Sequence, residues 1–244
     1  MYELVGLLVI LFLVSFLYSS IGHGGASGYI AVLSIIGMSS TIVRPSALIL
    51  NVFVASISFY QYYKGGYFRW KLFYPFALLS IPMAYLGSFV ALDPIWYKRI
   101  VGACLILGVW RILGAFNSKN NATTKQAPFV LCLLIGAGLG FLSGMIGIGG
   151  GIILSPIILI LGWGNLKETS AVSALFIVVN SIAGILGLWG QHITWPSQLT
   201  LWIGVAIVGG FIGAYWGSKK AQPHVLKNVL AIVLLFAAFK LIFI

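Results

Sequence analysis

The stretch Phe129–Gly151 reads FVLCLLIGAGLGFLSGMIGIGGG, an apolar run without a charge that ends in four glycines within five positions. Up to Gly144 the run lacks the one-in-two alternation of a membrane barrel strand, so it predicts a helix. A second run, Leu4–Ile21, has the same character. The composition around them points the same way: of 244 residues, 61% are hydrophobic and 7% charged. A soluble domain carries about 25% charged residues to cover its surface. Three acidic and fourteen basic side chains cannot cover a 26.3 kDa globule, so lipid must surround most of it. In lipid every backbone N–H and C=O has to be bonded internally, which admits helices or a closed barrel. The unbroken runs select helices. The expected fold class is an all-α, polytopic transmembrane helical bundle.

The glycine ending is duplicated. GIGG at Gly147–Gly150 repeats GHGG at Gly22–Gly25, 125 positions earlier. GGYFRW at Gly65–Trp70 and QHITW at Gln191–Trp195 each precede a long apolar segment, one holding Gly87 and the other Gly213. Lys98 with Arg99, and later Lys227, each open the last segment of a half. Between the halves lies the most hydrophilic stretch, NSKNNATTKQ. The expected organisation is therefore a first transmembrane repeat over 1–116, a polar linker over 117–126 and a second repeat over 127–244. Each repeat holds five apolar segments: about 4–21, 26–37, 45–63, 71–91 and 98–115, then 128–145, 150–162, 168–190, 197–217 and 225–243.

Most of these reach the roughly 17–25 residues that cross a bilayer. The second of each half spans only about 18–20 Å at 1.5 Å per residue, and each follows a glycine cluster. It either completes a crossing or turns back, and basic residues arbitrate because they gather on the cytoplasmic side. With every segment crossing, Lys64, Arg69, Lys71, Arg111, Lys119, Lys125, Lys167, Lys219, Lys220 and Lys227 share one side. Arg44, Lys98, Arg99 and Lys240 take the other. Re-entrant short segments give seven against seven, which sets no orientation. The expectation is ten segments with both termini outside the cytoplasm, in a bacterial-type plasma (inner) membrane. Five crossings per half make the repeats inverted, an arrangement common in secondary transporters. The N-terminus lacks a basic leader and a cleavage site, so the first segment reads as a retained helix.

Dense glycine cannot hold a helix well, at about 1 kcal/mol each relative to alanine. The clusters Tyr18–Gly28 and Ser143–Gly151 therefore predict broken helices whose next segments begin inside the membrane with free N–H groups. A helix N-terminus is partly positive and suits an anion, and unwound backbone at that depth belongs in protein or at a cavity. The candidate substrate-binding residues are Ser20, Gly22, His23, Gly24, Gly25, Ser27 and Asn51 in the first half. In the second they are Ser143, Gly147, Gly149, Gly150, Gly151 and Asn180. His23, where the second cluster has Ile148, is a donor to an anion, a proton acceptor, or a ring held by a neighbouring carbonyl. Asn51 and Asn180 either donate to substrate or bond adjacent helices. Arg44, just before Pro45, stands at a cavity mouth or snorkels to the interface. Gly136, Gly140 and Gly144, and likewise Gly209, Gly213 and Gly217, are spaced in fours and read as packing faces.

Absences narrow the function. Glu3, Asp93 and Glu168 all fall at segment ends, leaving no mid-helix carboxylate for a cation or a proton relay. No Walker sequence, Ser-His-Asp set or metal-spaced histidines occur, so neither an ATPase, an intramembrane enzyme, a metal site nor a cofactor is expected. Cys104 and Cys132 sit in apolar segments as packing groups. The +11 charge is spread over short loops, which orients a membrane protein and calls for no nucleic acid. The partners expected are a small anionic substrate and the bilayer; a monomer and a homodimer fit equally.

The duplicated G-x-G-G-(G/A) signature at 22–26 and 147–151, with Pro156, Gly162, Thr169-Ser170-Ala171 and HITW at His192–Trp195, resembles the TauE/SafE family of sulfite and organosulfonate exporters. The resemblance covers nearly the whole chain. It implies transport of small sulfur-containing anions such as sulfite, sulfoacetate or related sulfonates, by alternating access between the halves. Two departures fall in the first half: Ala26 in place of a third glycine, and Ala31 opposite Pro156. An inside-negative potential drives anions outward, at roughly 2.3 kcal/mol per charge per 100 mV, so export needs no coupling ion. An importer coupled through His23 to protons or through unwound carbonyls to sodium is the alternative, and a non-transporting membrane scaffold is another.

Overall fold

The computed structural model describes residues 2–90, 125–189, 191, 193–220 and the single positions 93, 95, 96, 99, 102, 103, 106, 109, 235 and 239. Among them are helices α1 (Tyr2–Ser20), α2 (Ala26–Ile35), α3 (Ser40–Lys64), α4 (Trp70–Ser88), α5 (Phe129–Ile146), α6 (Gly151–Leu161), α7 (Leu166–Leu188) and α8 (Leu199–Lys219). No strand occurs among the described residues. Apart from those single positions, the expected segments 98–115 and 225–243 lie outside the described residues. So do Cys104, Lys98, Lys227, Lys240, His192 and residues 117–124 of the linker.

Four of the helices, α3, α5, α7 and α8, are long and apolar enough to cross a membrane. Their outer faces carry large apolar side chains, among them Phe53, Val130, Leu134, Leu186 and Phe211. In water such a surface would be untenable; in lipid it is the ordinary one. The chain is an integral membrane protein.

Helix limits follow local chemistry. Expected from Pro45, α3 begins a turn and a half earlier at Ser40, where the Ser39 carbonyl accepts from the N–H groups of Ile42 and Val43. Proline lacks one donor but fits near a helix start, so it does not set the boundary. Arg44 is thereby inside the helix instead of in front of it. At α7 the Asn165 side chain accepts from the Glu168 N–H while Glu168 Oε2 accepts from the Asn165 N–H, a capping box.

The glycine stripes decide the packing. A Cβ on Gly136, Gly140 or Gly144 of α5 would overlap the backbone of Phe76, Ser80 or Ala84 of α4. One on Gly209, Gly213 or Gly217 of α8 would overlap that of Phe12, Phe16 or Ser20 of α1. Both pairs run parallel and touch backbone to backbone, where small residues let dispersion act at short range. Helix contacts fall into matching sets: α4 with α5 and α8 with α1, α4 with α7 and α8 with α3, α2 with α3 and α6 with α7. The antiparallel pair α3 and α7 stands at the centre, with Leu48 against Gly184 and Asn51 against Ser181.

The short helices double back, where the count of basic residues predicts completed crossings. Ser27 bonds Tyr18 and Gly28 lies against Val14, so α2 returns along α1. Likewise the Lys125 N–H donates to the Gly162 carbonyl at 2.8 Å, so the end of α6 comes back to the start of α5. Each short helix begins within the bundle, beside the middle of α3 and α7.

Candidate functional site: the junction of the two glycine clusters

Where α1 stops at Ser20, its last carbonyls lose their helical partners. Side chains replace them. Tyr62 OH donates to the Ser20 carbonyl at 2.8 Å, Ser170 Oγ to Ile21 at 3.0 Å and Ser58 Oγ to Ser19 at 3.4 Å. Gly22 and Gly25 then take positive φ, at 79° and 97°, and Gly25 starts α2. Unwound backbone at this depth survives because protein donors serve it.

His23 projects from the first cluster into the other side of the bundle. Its Nδ1 lies 3.0 Å from the Ile21 carbonyl, an acceptor, so that nitrogen carries a hydrogen. Its Nε2 lies 3.0 Å from Ser155 Oγ of α6, and Ser155 Oγ lies 2.7 Å from Ser173 Oγ of α7. All three residues are buried.

Asn51, fully buried on α3, joins the two clusters. Its Oδ1 accepts from the Ala26 N–H at 2.9 Å, capping α2. Its Nδ2 donates to the Ile148 carbonyl at 3.1 Å and to Ser181 Oγ at 3.3 Å. A Cβ on Gly24 would overlap Asn51 Oδ1, and one on Gly149 would stand 2.6 Å from its Nδ2. Both glycines exist here as room for one amide.

In the second cluster the Gly147 N–H closes α5 on the Ser143 carbonyl at 2.8 Å. Gly147, Gly149 and Gly150 have φ of 88°, 78° and 73°, and Gly150 starts α6 without a side-chain cap. Gly151 packs against Ile177 and the Ser173 carbonyl. Ser143 Oγ is buried and has no partner among the described residues.

The remaining candidates are placed differently. Ser20 Oγ turns back to the Leu17 carbonyl and Ser27 Oγ pairs with Tyr18 OH. Asn180 donates to Phe176 in its own helix, and its Oδ1 is buried without a partner among the described residues. Arg44 is buried: Nη2 donates to the carbonyls of Ser88 at 2.8 Å and of Gly144, and Nη1 reaches Val90 at 3.4 Å. A cation on the last carbonyls of α4 and α5 satisfies both orphaned groups and helix dipoles. Its aliphatic part supports Gly147.

A family model described as sulfite exporter TauE/SafE matches residues 7–241. The chain belongs to the TauE/SafE family. This is a family of membrane transporters, not of enzymes. The chain is 33% identical over 243 residues, 98% of each protein, to a probable membrane transporter protein of Sinorhizobium fredii. It is also 28% identical over 191 residues, 74% of this chain and 70% of the relative, to a probable membrane transporter protein of Methanocaldococcus jannaschii. No solved structure matches.

Ser58, Tyr62 and Ser155 stand out only in three dimensions. Single hydroxyls in apolar helices commonly bond their own backbone, so sequence gives them no separate mark. The position of Ser155 directly before Pro156 was its one local peculiarity.

Proposed function

We propose that this TauE/SafE protein exports small sulfur-containing anions, sulfite, sulfoacetate or related organosulfonates, across a bacterial-type plasma membrane. The observation that carries the reading is the meeting of two helix N-termini, α2 and α6, on Asn51 within the bundle. Partial positive charge from both dipoles converges there. The described acidic side chains stand away from it: Glu168 pairs with Arg69 at 3.3 Å at the start of α7, and Asp93 caps the Ile95 N–H.

In this reading residues 1–116 and 127–244 are inverted repeats about the α3–α7 pair, with both chain ends outside the cytoplasm. The matching helix contacts support it, as does the gathering of Lys64, Arg69, Lys71, Lys125, Lys167, Lys219 and Lys220 at the end of the bundle where Arg69 meets Glu168. The clusters are packed too tightly around Asn51 to pass an anion. Transport therefore requires α3 and α7 to part on alternate sides, releasing the Asn51 bonds in turn. Potential alone suffices as the driving force.

Purified protein in liposomes with an imposed inside-negative potential tests this: labelled sulfite or sulfonate should leave, and collapse of the potential should slow it. Cation flux with no movement of any sulfur anion would sink the reading. His23, bridging both sides of the bundle through Ser155, favours a second one, a proton-coupled importer of the same anions. That mode requires flux to follow a pH gradient at zero potential.

A further inference from the structure

The two clusters are alike in sequence but not in what their backbone donors face. In the first, bonded donors interrupt the row: the His23 N–H donates to the Tyr18 carbonyl at 2.9 Å and the Ala26 N–H to Asn51 Oδ1 at 2.9 Å, while those of Gly24, Gly25, Ser27 and Gly28 have no acceptor among the described residues. The Asn51 oxygen already serves that donor at the start of α2. In the second, the N–H groups of Ile148, Gly149, Gly150, Gly151 and Ile152 have no acceptor among the described residues. They are consecutive and pass through two left-handed glycines, Gly149 and Gly150, into the first turn of α6. Successive amides in such a conformation form a concave anion-binding nest, and the helix dipole adds to it.

A side chain supplies the independent sign. Ser143 is 2% exposed, its hydroxyl has no hydrogen-bond partner among the described residues, and its Cβ lies 3.4 Å from where a Cβ on Gly150 would stand. A buried hydroxyl left unpaired is costly, and this one stands beside the N-cap of α6.

We propose that the second cluster is the oxyanion subsite: the amides of Gly149–Ile152 and Ser143 Oγ receive the SO3 group of the substrate, while the first cluster holds the clamp. The assignment rests on the anion-transport reading and deepens it. An SO3 group offers three oxygens on one face, which a row of amides and a hydroxyl can share. A carboxylate offers two and leaves a donor unserved. Discrimination of this kind arises because unserved buried donors are penalised.

The test uses the full-length protein in nanodiscs, with sulfite and methanesulfonate as probes and acetate as the competitor. Amide resonances of Gly149–Ile152 should shift on adding either probe, and Ser143→Ala should weaken binding on the order of tenfold. Acetate should bind more weakly than methanesulfonate. Shifts confined to Gly24–Gly28, or undiminished affinity in Ser143→Ala, overturn the assignment and leave the anion reading standing. Equal binding of acetate overturns the SO3 selectivity. Failure to bind any of a panel of sulfur oxyanions overturns the reading beneath it.

Discussion

Around His23 the bundle is polar; around Ile148, the matching place in the second cluster, it is greasy. His23 touches Ser155, and Ser155 touches Ser173. The cluster offset of 125 matches Ser155 with Ile30, and the shared Ser-Ala-Leu matches Ser173 with Ser46. Ile30 and Ile148 belong to one apolar cluster, and Ser46 Oγ is buried with no partner among the described residues. The two clusters thus share a glycine pattern, while one side carries a hydrogen-bonded chain and the other an apolar plug. Buried polar side chains are useful only where every one of them finds a partner.

The largest expected effect comes from removing the residue that spans both regions. Asn51→Leu leaves the Ala26 N–H and the Ile148 carbonyl unpaired, and should cost about 3 kcal/mol or more in reversible unfolding from mixed micelles. Transport in liposomes should be lost with it. Asn51→Asp keeps the cap on Ala26 but loses both donors to the second cluster. An intermediate loss there would separate the two ties, whereas equality with the leucine variant would show that the second tie dominates.

Transplanting the polar side should fail alone. Ile148→His buries a ring without a partner and should destabilise by roughly 2 kcal/mol. Adding Ile30→Ser, at the counterpart of Ser155, should recover part of that loss in the same unfolding assay. No recovery would deny the two places their equivalence.

Smaller is Ser155→Ala, which strips His23 Nε2 of its hydroxyl. Hydrogen bonds between membrane helices are worth about 0.6 kcal/mol on average and up to about 1.7, so a loss near 1 kcal/mol is expected. Smallest is Glu168→Gln. The ion pair with Arg69 is partly exposed, with side chains 37% and 20% accessible, and glutamine retains the capping box. Less than about 1 kcal/mol should be lost. Arg44→Gln, by contrast, uncaps carbonyls of both α4 and α5 and should cost more than Glu168→Gln in the same measurement.

Much of the fold was legible because it follows from the solvent. Apolar runs such as Phe129–Gly144 and Leu166–Leu188 have one way to bury their backbone in lipid, and their helices end within a few residues of the expected limits. The stripes Gly136, Gly140, Gly144 and Gly209, Gly213, Gly217 announced close packing by spacing alone, though not that the partners would be α4 and α1. The clusters announced broken helices. Pro45 resembles a helix boundary, but the helix starts a turn and a half earlier and puts the Arg44 guanidinium indoors among carbonyls.

By itself, then, the sequence determined the medium, the helices, the two breaks and the candidate residues around them, since each depends on local composition and spacing. Only the tertiary structure decided what the few polar groups do. Asn51 meets Ile148 across 97 positions and His23 meets Ser155 across 132, and nothing in an isolated amide or imidazole tells which distant partner it will face. In a medium that supplies no hydrogen bonds, that choice belongs to the packing of whole helices.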